Sequence, residues 1–284
     1  MEGTSCKKWH PTLADPTGIR QAKPRTLGKT MVMDKGLGLH AYEDLLQSAG
    51  EHVDYIKLGF GTSALYPGEM LRRKIEMAKE YGIDIYPGGT FLEVAVRSGL
   101  VSSFFDTVTS LGFTCVEISD GTIDMDRTQR SELIVRGIQA GLKVVTEYGK
   151  KCWGSSVEVD ELVTTISGDI GMGAELVTIE ARESGVGVGI FDEEGSCKDQ
   201  ELLHVLKKVP GPEVLLWEAP LKNQQIRLLE ILGPGVHLGN IAPADIISLE
   251  ALRRGLRSDT FQLGDHPCDP CKLIQGEGFE VHAD

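Results

Sequence analysis

Eight times along this chain a short apolar run of β type is followed by a stretch long enough for a helix, and few architectures accept that rhythm. The runs cover residues 30–36, 55–61, 84–89, 115–121, 143–149, 176–184, 215–220 and 236–241. Between them lie helical patterns. Residues 67–81 open on a proline and set Leu71, Ile75 and Ala78 along one face. Residues 126–140 carry Leu133, Ile134 and Ile138 at helical spacing, and residues 222–232 place Ile226, Leu229 and Leu232 on one side. Alternating strand and helix implies a parallel sheet, and eight such units predict a closed α/β structure, the (β/α)8 TIM barrel. A doubly wound open sheet is the alternative. It typically has fewer strands and a phosphate-binding fingerprint after the first one, which is missing here.

Four of the runs place a glutamate after an apolar residue: Val116-Glu117-Ile118-Ser119, Val145-Thr146-Glu147-Tyr148, Thr178-Ile179-Glu180-Ala181 and Leu216-Trp217-Glu218-Ala219. In parallel strands all four carboxylates sit near the carboxyl ends and can converge. An interior acid is costly unless it is paired or bound to a metal, so four together predict a polar centre. Lys35, Lys57, Lys150, Lys151 and Arg182 also fall at predicted strand ends. The net charge of −13 argues against a nucleic-acid surface or an anionic membrane. An anionic substrate therefore needs these cations, or a bound metal, to reverse the field locally.

The length of 284 residues suits one barrel of about 250. Residues 1–22 read as a polar N-terminal arm, 23–260 as the barrel and 261–284 as a flexible C-terminal tail. No apolar run approaches the roughly 18 residues of a membrane span, and the opening residues lack the apolar core of a secretory signal. The six cysteines are scattered, which predicts a reducing, cytoplasmic setting. Cys268-Asp269-Pro270-Cys271 is a lone C-x-x-C without a second ligand pair, and is not expected to bind zinc.

Several segments resemble one family in order. Met31-Val32-Met33-Asp34-Lys35-Gly36-Leu37-Gly38, Lys57-Leu58-Gly59-Phe60-Gly61-Thr62-Ser63 and Tyr86-Pro87-Gly88-Gly89-Thr90 are similar to those of the phosphosulfolactate synthases. So are Glu117-Ile118-Ser119-Asp120-Gly121-Thr122, Glu147-Tyr148-Gly149-Lys150-Lys151 and Ile179-Glu180-Ala181-Arg182-Glu183-Ser184-Gly185. The likeness continues through Glu218-Ala219-Pro220, Gln224-Gln225 and Leu238-Gly239-Asn240-Ile241 to Leu249-Glu250-Ala251-Leu252-Arg253-Arg254-Gly255-Leu256-Arg257. It departs at Gly235 and His237, where asparagines are expected, at Ser258, and at Cys152-Trp153-Gly154.

The resemblance implies a carbon–sulfur lyase that adds sulfite to phosphoenolpyruvate with Mg²⁺, giving (R)-2-phospho-3-sulfolactate, a step toward coenzyme M in archaea. Sulfite attacks the methylene carbon, charge builds on the carboxylate side, a metal stabilises it, and an acid protonates the adjacent carbon. Lys151 is the expected general acid, its pKa lowered by the like charge of Lys150; the alternative is that both lysines bind phosphate. Lys57, grouped with Lys151 as catalytic, and Lys35 are expected to contact sulfite or the carboxylate. Lys150, Arg182, Ser184, Gln225 and Asn240 are expected around the substrate's oxygens, the last two at the usual phosphate corner of the fold. Glu117, Glu147 and Glu180 are the expected Mg²⁺ ligands, one or two of them sufficing, or else partners of Lys57 or Arg182. Gly88 and Gly89 would let the backbone approach a ligand or simply make a tight turn.

The implied partners are small molecules, with no nucleic acid and no membrane, and a homo-oligomer is left open. Two other readings remain. Plant heat-stress-associated proteins resemble the same family, so the barrel can be non-catalytic and act through protein interaction. It can also be an enolate-type lyase on a related phospho-acid.

Overall fold

The computed structural model describes residues 9–264 except 152, 153, 155, 156 and 210. Its eight strands are β1 (Thr30–Asp34), β2 (Tyr55–Leu58), β3 (Asp84–Pro87), β4 (Cys115–Ile118), β5 (Lys143–Tyr148), β6 (Leu176–Ile179), β7 (Leu215–Glu218) and β8 (His237–Ile241). The helices are α1 (Pro11–Ala14), α2 (Leu39–Ala49), α3 (Gly68–Glu80), α4 (Gly89–Arg97), α5 (Val101–Leu111), α6 (Arg127–Gln139), α7 (Val159–Gly171), α8 (Asp199–Lys208), α9 (Lys222–Leu232) and α10 (Ile246–Arg253). The strands are parallel in the order β3-β2-β1-β8-β7-β6-β5-β4. At the remaining seam the Thr114 amide donates to Ile85 O at 3.3 Å and its hydroxyl accepts from the Ile85 amide at 3.0 Å. The chain is a (β/α)8 TIM barrel.

All eight strands start within a residue of the expected positions, and all but β8 end sooner. Their last expected residues turn out of the sheet into the mouth loops, as Phe60 does with φ +57°. Ile138 does not join the buried face of α6, contrary to expectation. That face is Arg130, Leu133, Ile134 and Gly137. A Cβ on Gly137 would lie 2.8 Å from Val144 Cγ2, so the helix beds on its glycine and turns Ile138 outward.

Period two divides each strand between two cores. Val32, Ile56, Ile85, Val116, Val144, Val177, Leu215 and Leu238 face the helices, whereas Met31, Tyr55, Tyr86, Cys115, Val145, Leu176 and Leu216 fill the barrel. Gly239 admits that filling, because a Cβ there would lie 2.3 Å from Leu216 Cδ2. One step of two residues beyond Tyr55, Cys115, Val145 and Leu216 stand Lys57, Glu117, Glu147 and Glu218. The same alternation that fills the floor with apolar groups therefore stacks the charged layer above it.

The opposite end is closed by the N-terminal segment. Arg20 pairs with Glu250 at 2.9 Å, Arg25 with Asp54 at 3.3 Å, and Lys23 Nζ donates to Tyr81 O at 2.8 Å. His237 lies at this end and accepts from the Lys29 amide at 3.0 Å, so that departure from the family pattern leaves the mouth untouched. Most of the tail, including Cys268 and Cys271, falls outside the described residues, as do Cys152 and Trp153. Among the described residues no helix is long and apolar enough to cross a membrane.

Candidate active site

Lys57 is buried at the centre of the charged layer. Its Nζ lies 2.9 Å from Glu117 Oε1, 2.9 Å from Glu147 Oε2 and 3.6 Å from Glu218 Oε1. Burial works against the ammonium, but the three carboxylates more than offset it and hold Lys57 well above the ordinary lysine value. Glu117 also accepts from the Gly89 amide at 2.6 Å, and Glu218 from the Ala181 amide at 3.2 Å.

Lys151 is the lysine open to the mouth, with 22% of its side chain exposed against 5% for Lys57. Its Nζ lies 2.8 Å from Glu147 Oε1, 3.5 Å from Glu180 Oε2 and 3.1 Å from the Thr90 hydroxyl. Glu147 thus bridges the two lysines. The expected depression of the Lys151 pKa by Lys150 does not occur. Burial does favour the neutral amine, but Glu147 and Glu180 outweigh it and raise the value. Lys150 points away, exposed, and donates to the carbonyls of Asp120 and Ile123 at 2.8 and 3.0 Å. Adjacent residues of an extended loop face opposite ways, so proximity in sequence produced no repulsion here.

Four carboxylates face two ammoniums, so burial leaves a surplus of negative charge that disfavours full ionisation. Burial, then the like charge of Glu147, pushes Glu117 up to about 7 despite Lys57. Burial, Glu147 and Glu218 hold Glu180 well above the carboxylate range, and burial also raises Glu218. Burial would raise Glu147 too, but Lys151 and Lys57 prevail and depress it. Glu147 and Glu180 meet at Lys151, whose Nζ lies 2.8 Å from one and 3.5 Å from the other.

The rim residues separate into distinct places. Lys35 is exposed and ion-paired to Glu183, tying the β1 loop to the β6 loop across the mouth. Arg182 and Ser184 are exposed in the turn after β6. Arg182 pairs with none of the acids through its side chain; its amide donates to Glu180 Oε1 at 2.5 Å. Asn240 is the next-to-last residue of β8 and donates to Arg182 O at 2.8 Å. Gln225 is buried on α9, where its amide donates to Ala219 O at 3.0 Å. Gly88 and Gly89 do permit close approach, but to protein. A Cβ on Gly88 would lie 2.6 Å from the Phe60 amide nitrogen, and one on Gly89 2.9 Å from Glu117 Oε2.

Sequence reasoning passed over several supports. Glu93 accepts from Ser119, from the Thr122 hydroxyl and from the Thr122 amide at 2.8 Å, fixing the loop after β4. Gln224 Nε2 donates to Gly185 O at 2.6 Å and braces the loop after β6. Buried Lys74 meets Asp34 at 2.5 Å and ties the loop that carries Lys35. Thr90 faces Lys151. Each is an ordinary polar residue on a helix or loop; Thr90 and Gln224 fall within segments of the family likeness, whereas Glu93 and Lys74 do not.

An ammonium held by acids at the carboxyl mouth of a barrel fits many chemistries, and sequence likeness narrows them. Residues 18–259 match the family described as (2R)-phospho-3-sulfolactate synthase (ComA). This chain belongs to that family. It is 40% identical over 246 residues to the phosphosulfolactate synthase of Methanothermobacter thermautotrophicus, covering 86% of this chain and 95% of that one. To the phosphosulfolactate synthase of Methanocaldococcus jannaschii it is 43% identical over 236 residues, covering 82% and 94%. The heat-stress-associated protein 32 of Arabidopsis thaliana is also similar, at 26% over 258 residues, 82% of this chain and 88% of that one. As a member of the phosphosulfolactate synthase family the chain is an enzyme acting on a small molecule.

Proposed function

We propose that this enzyme adds sulfite to phosphoenolpyruvate in the presence of Mg²⁺ and forms (R)-2-phospho-3-sulfolactate. The observation that carries the reading is the Lys151 ammonium, held at the mouth by Glu147, Glu180 and Thr90 beside further carboxylates. In the reaction the sulfur lone pair bonds to the methylene carbon, and the π pair of the double bond moves to the adjacent carbon and its carboxylate. Lys151 Nζ then gives a proton to that carbon. Glu147 and Glu180 keep the ammonium charged until this strong base draws the proton from it. Lys57, sealed beneath, offsets the carboxylates and lends positive field to the anionic substrates. Lys35 and Arg182 at the rim are placed to meet their oxygens, with Ser184 beside Arg182.

The donor set suits Mg²⁺, since every candidate ligand is a carboxylate oxygen. Among the described residues no three His, Cys, Asp or Glu side chains form a metal-holding group, so the protein would supply one or two ligands. Glu180 and Glu147 fit best, because both carboxylates flank Lys151 at the open mouth. Glu117 is engaged by Lys57 and the Gly89 amide. Bound there, Mg²⁺ would act as a Lewis acid toward the charge developing on the substrate.

We place the reaction in the cytoplasm, in keeping with the free thiols of Cys115 and Cys197. Incubating the purified enzyme with phosphoenolpyruvate, sulfite and Mg²⁺ is expected to yield the sulfonate, detected by mass spectrometry, and chelation is expected to stop it. No sulfonate from the folded, Mg²⁺-loaded protein would refute this reaction and favour an enolate-type lyase on a related phospho-acid.

A further inference from the structure

Three described non-glycine residues adopt positive φ, and all stand at the mouth: Phe60 at +57°, Arg182 at +61° and Asn240 at +56°. Left-handed backbone is unfavourable for residues with a Cβ, least so for asparagine. Elsewhere this chain meets the requirement with glycine, at seventeen described positions. Arginine at 182 is therefore retained against a conformational cost, and such outliers collect at functional sites.

The strained turn is locked by three side chains. The Arg182 amide donates to Glu180 Oε1 at 2.5 Å. The preceding Ala181 amide donates to Glu218 Oε2 at 3.2 Å. Asn240 Nδ2 donates to Arg182 O at 2.8 Å and lies 3.4 Å from the same Glu218 oxygen. Asn240 is only 5% exposed, and its donor group is spent on the turn. The guanidinium that the lock presents is exposed, and among the described residues it makes no hydrogen bond or ion pair. Its neighbour Glu183 is taken by Lys35.

We propose that Asn240 and Glu218 are positioning residues that clamp the Arg182 backbone, so that its guanidinium receives the phosphate group of the substrate, and that Asn240 does not touch the substrate itself. This rests on the phosphorylated-substrate reading above. The planar fork of arginine suits an oxyanion. A clamp on both sides of its peptide spares the ordering that a free loop would undergo on binding.

The test is a double-mutant cycle between Arg182→Asn, which tolerates the left-handed turn but lacks the cation, and Asn240→Gly, which keeps the turn accessible but lacks the amide. Calorimetric binding of inorganic phosphate and the KM for phosphoenolpyruvate are read for each. Arg182→Asn is expected to weaken both roughly ten- to a hundredfold, with kcat changed less. Asn240→Gly is expected to weaken both about three- to tenfold, and the double variant to be no weaker than Arg182→Asn alone. Additive losses would overturn the proposal, as would an Asn240→Gly loss confined to kcat or to the KM for sulfite. Asn240→Asp, similar in shape, is the second variant if glycine unfolds the loop, and the same coupling is expected of it. The phosphate measurements need no turnover. If the wild type binds phosphate through Arg182 with that coupling but makes no sulfonate, the reaction is wrong and the clamp stands. If it makes sulfonate and the coupling is absent, the clamp is wrong.

Discussion

Replacing Glu147 by glutamine should unbalance the whole charged layer. Its two oxygens lie 2.9 Å from Lys57 and 2.8 Å from Lys151, and the residue is buried. Removing one partner of a buried pair commonly costs about 3–5 kcal/mol, because the other charge is left uncompensated. Here Lys57 keeps Glu117 at 2.9 Å and Glu218 at 3.6 Å, and Lys151 keeps Glu180 at 3.5 Å. The loss should thus fall near the lower end, about 3 kcal/mol, or roughly 6–12 °C in melting temperature for a domain of this size. The effect should also depend on pH. Without the like charge of Glu147, Glu117 and Glu180 ionise more readily and take over part of the pairing. Wild type suffers repulsion among ionised acids at high pH that the variant escapes, so the deficit should be largest near pH 5 and shrink toward pH 8. Thermal unfolding of both proteins in chelator, across that range, measures it. An unchanged melting temperature in chelator would refute the reasoning, because the two lysines would then not depend on Glu147 for their pairing.

Glu180→Gln should behave oppositely: a carboxyl whose pKa is raised by burial, Glu147 and Glu218 is destabilising once ionised, so at pH 8 the variant should melt at or above wild type while calorimetry shows weaker Mg²⁺ binding. A clear fall in melting temperature would argue against it. Lys151→Ala should lower turnover by roughly 10²–10⁴-fold with less change in substrate binding, and normal turnover in Lys151→Arg would remove the acid role. Glu117, raised from 4.5 to about 7, binds its proton more tightly folded than unfolded. Its contribution to stability is therefore full below about pH 4.5, declines as pH rises to about 7, and should flatten in Glu117→Gln, as urea titration of the metal-free proteins can show.

The barrel was legible because its information is local. Apolar β-runs and amphipathic helices recur eight times, and strand starts follow from where each run begins. Period two then forces Lys57, Glu117, Glu147 and Glu218 inward, each one step above an interior Tyr55, Cys115, Val145 or Leu216. Convergence of the acids was readable for the same reason. Which charge meets which was not, because a carboxylate in sequence is equally a metal ligand, a proton carrier or an ion-pair partner. Distances across the barrel decide among these, and they brought Glu147 between two lysines that lie 94 positions apart. They also turned Lys150 outward while its neighbour Lys151 entered the mouth. Arg182 and Asn240 are 58 residues apart, and no pattern along the chain pairs an exposed arginine with the amide that holds its turn. Periodicity acts over a few residues and so determines elements and faces. Electrostatic pairing acts through space, and the closed sheet alone determines what lies within a few ångströms.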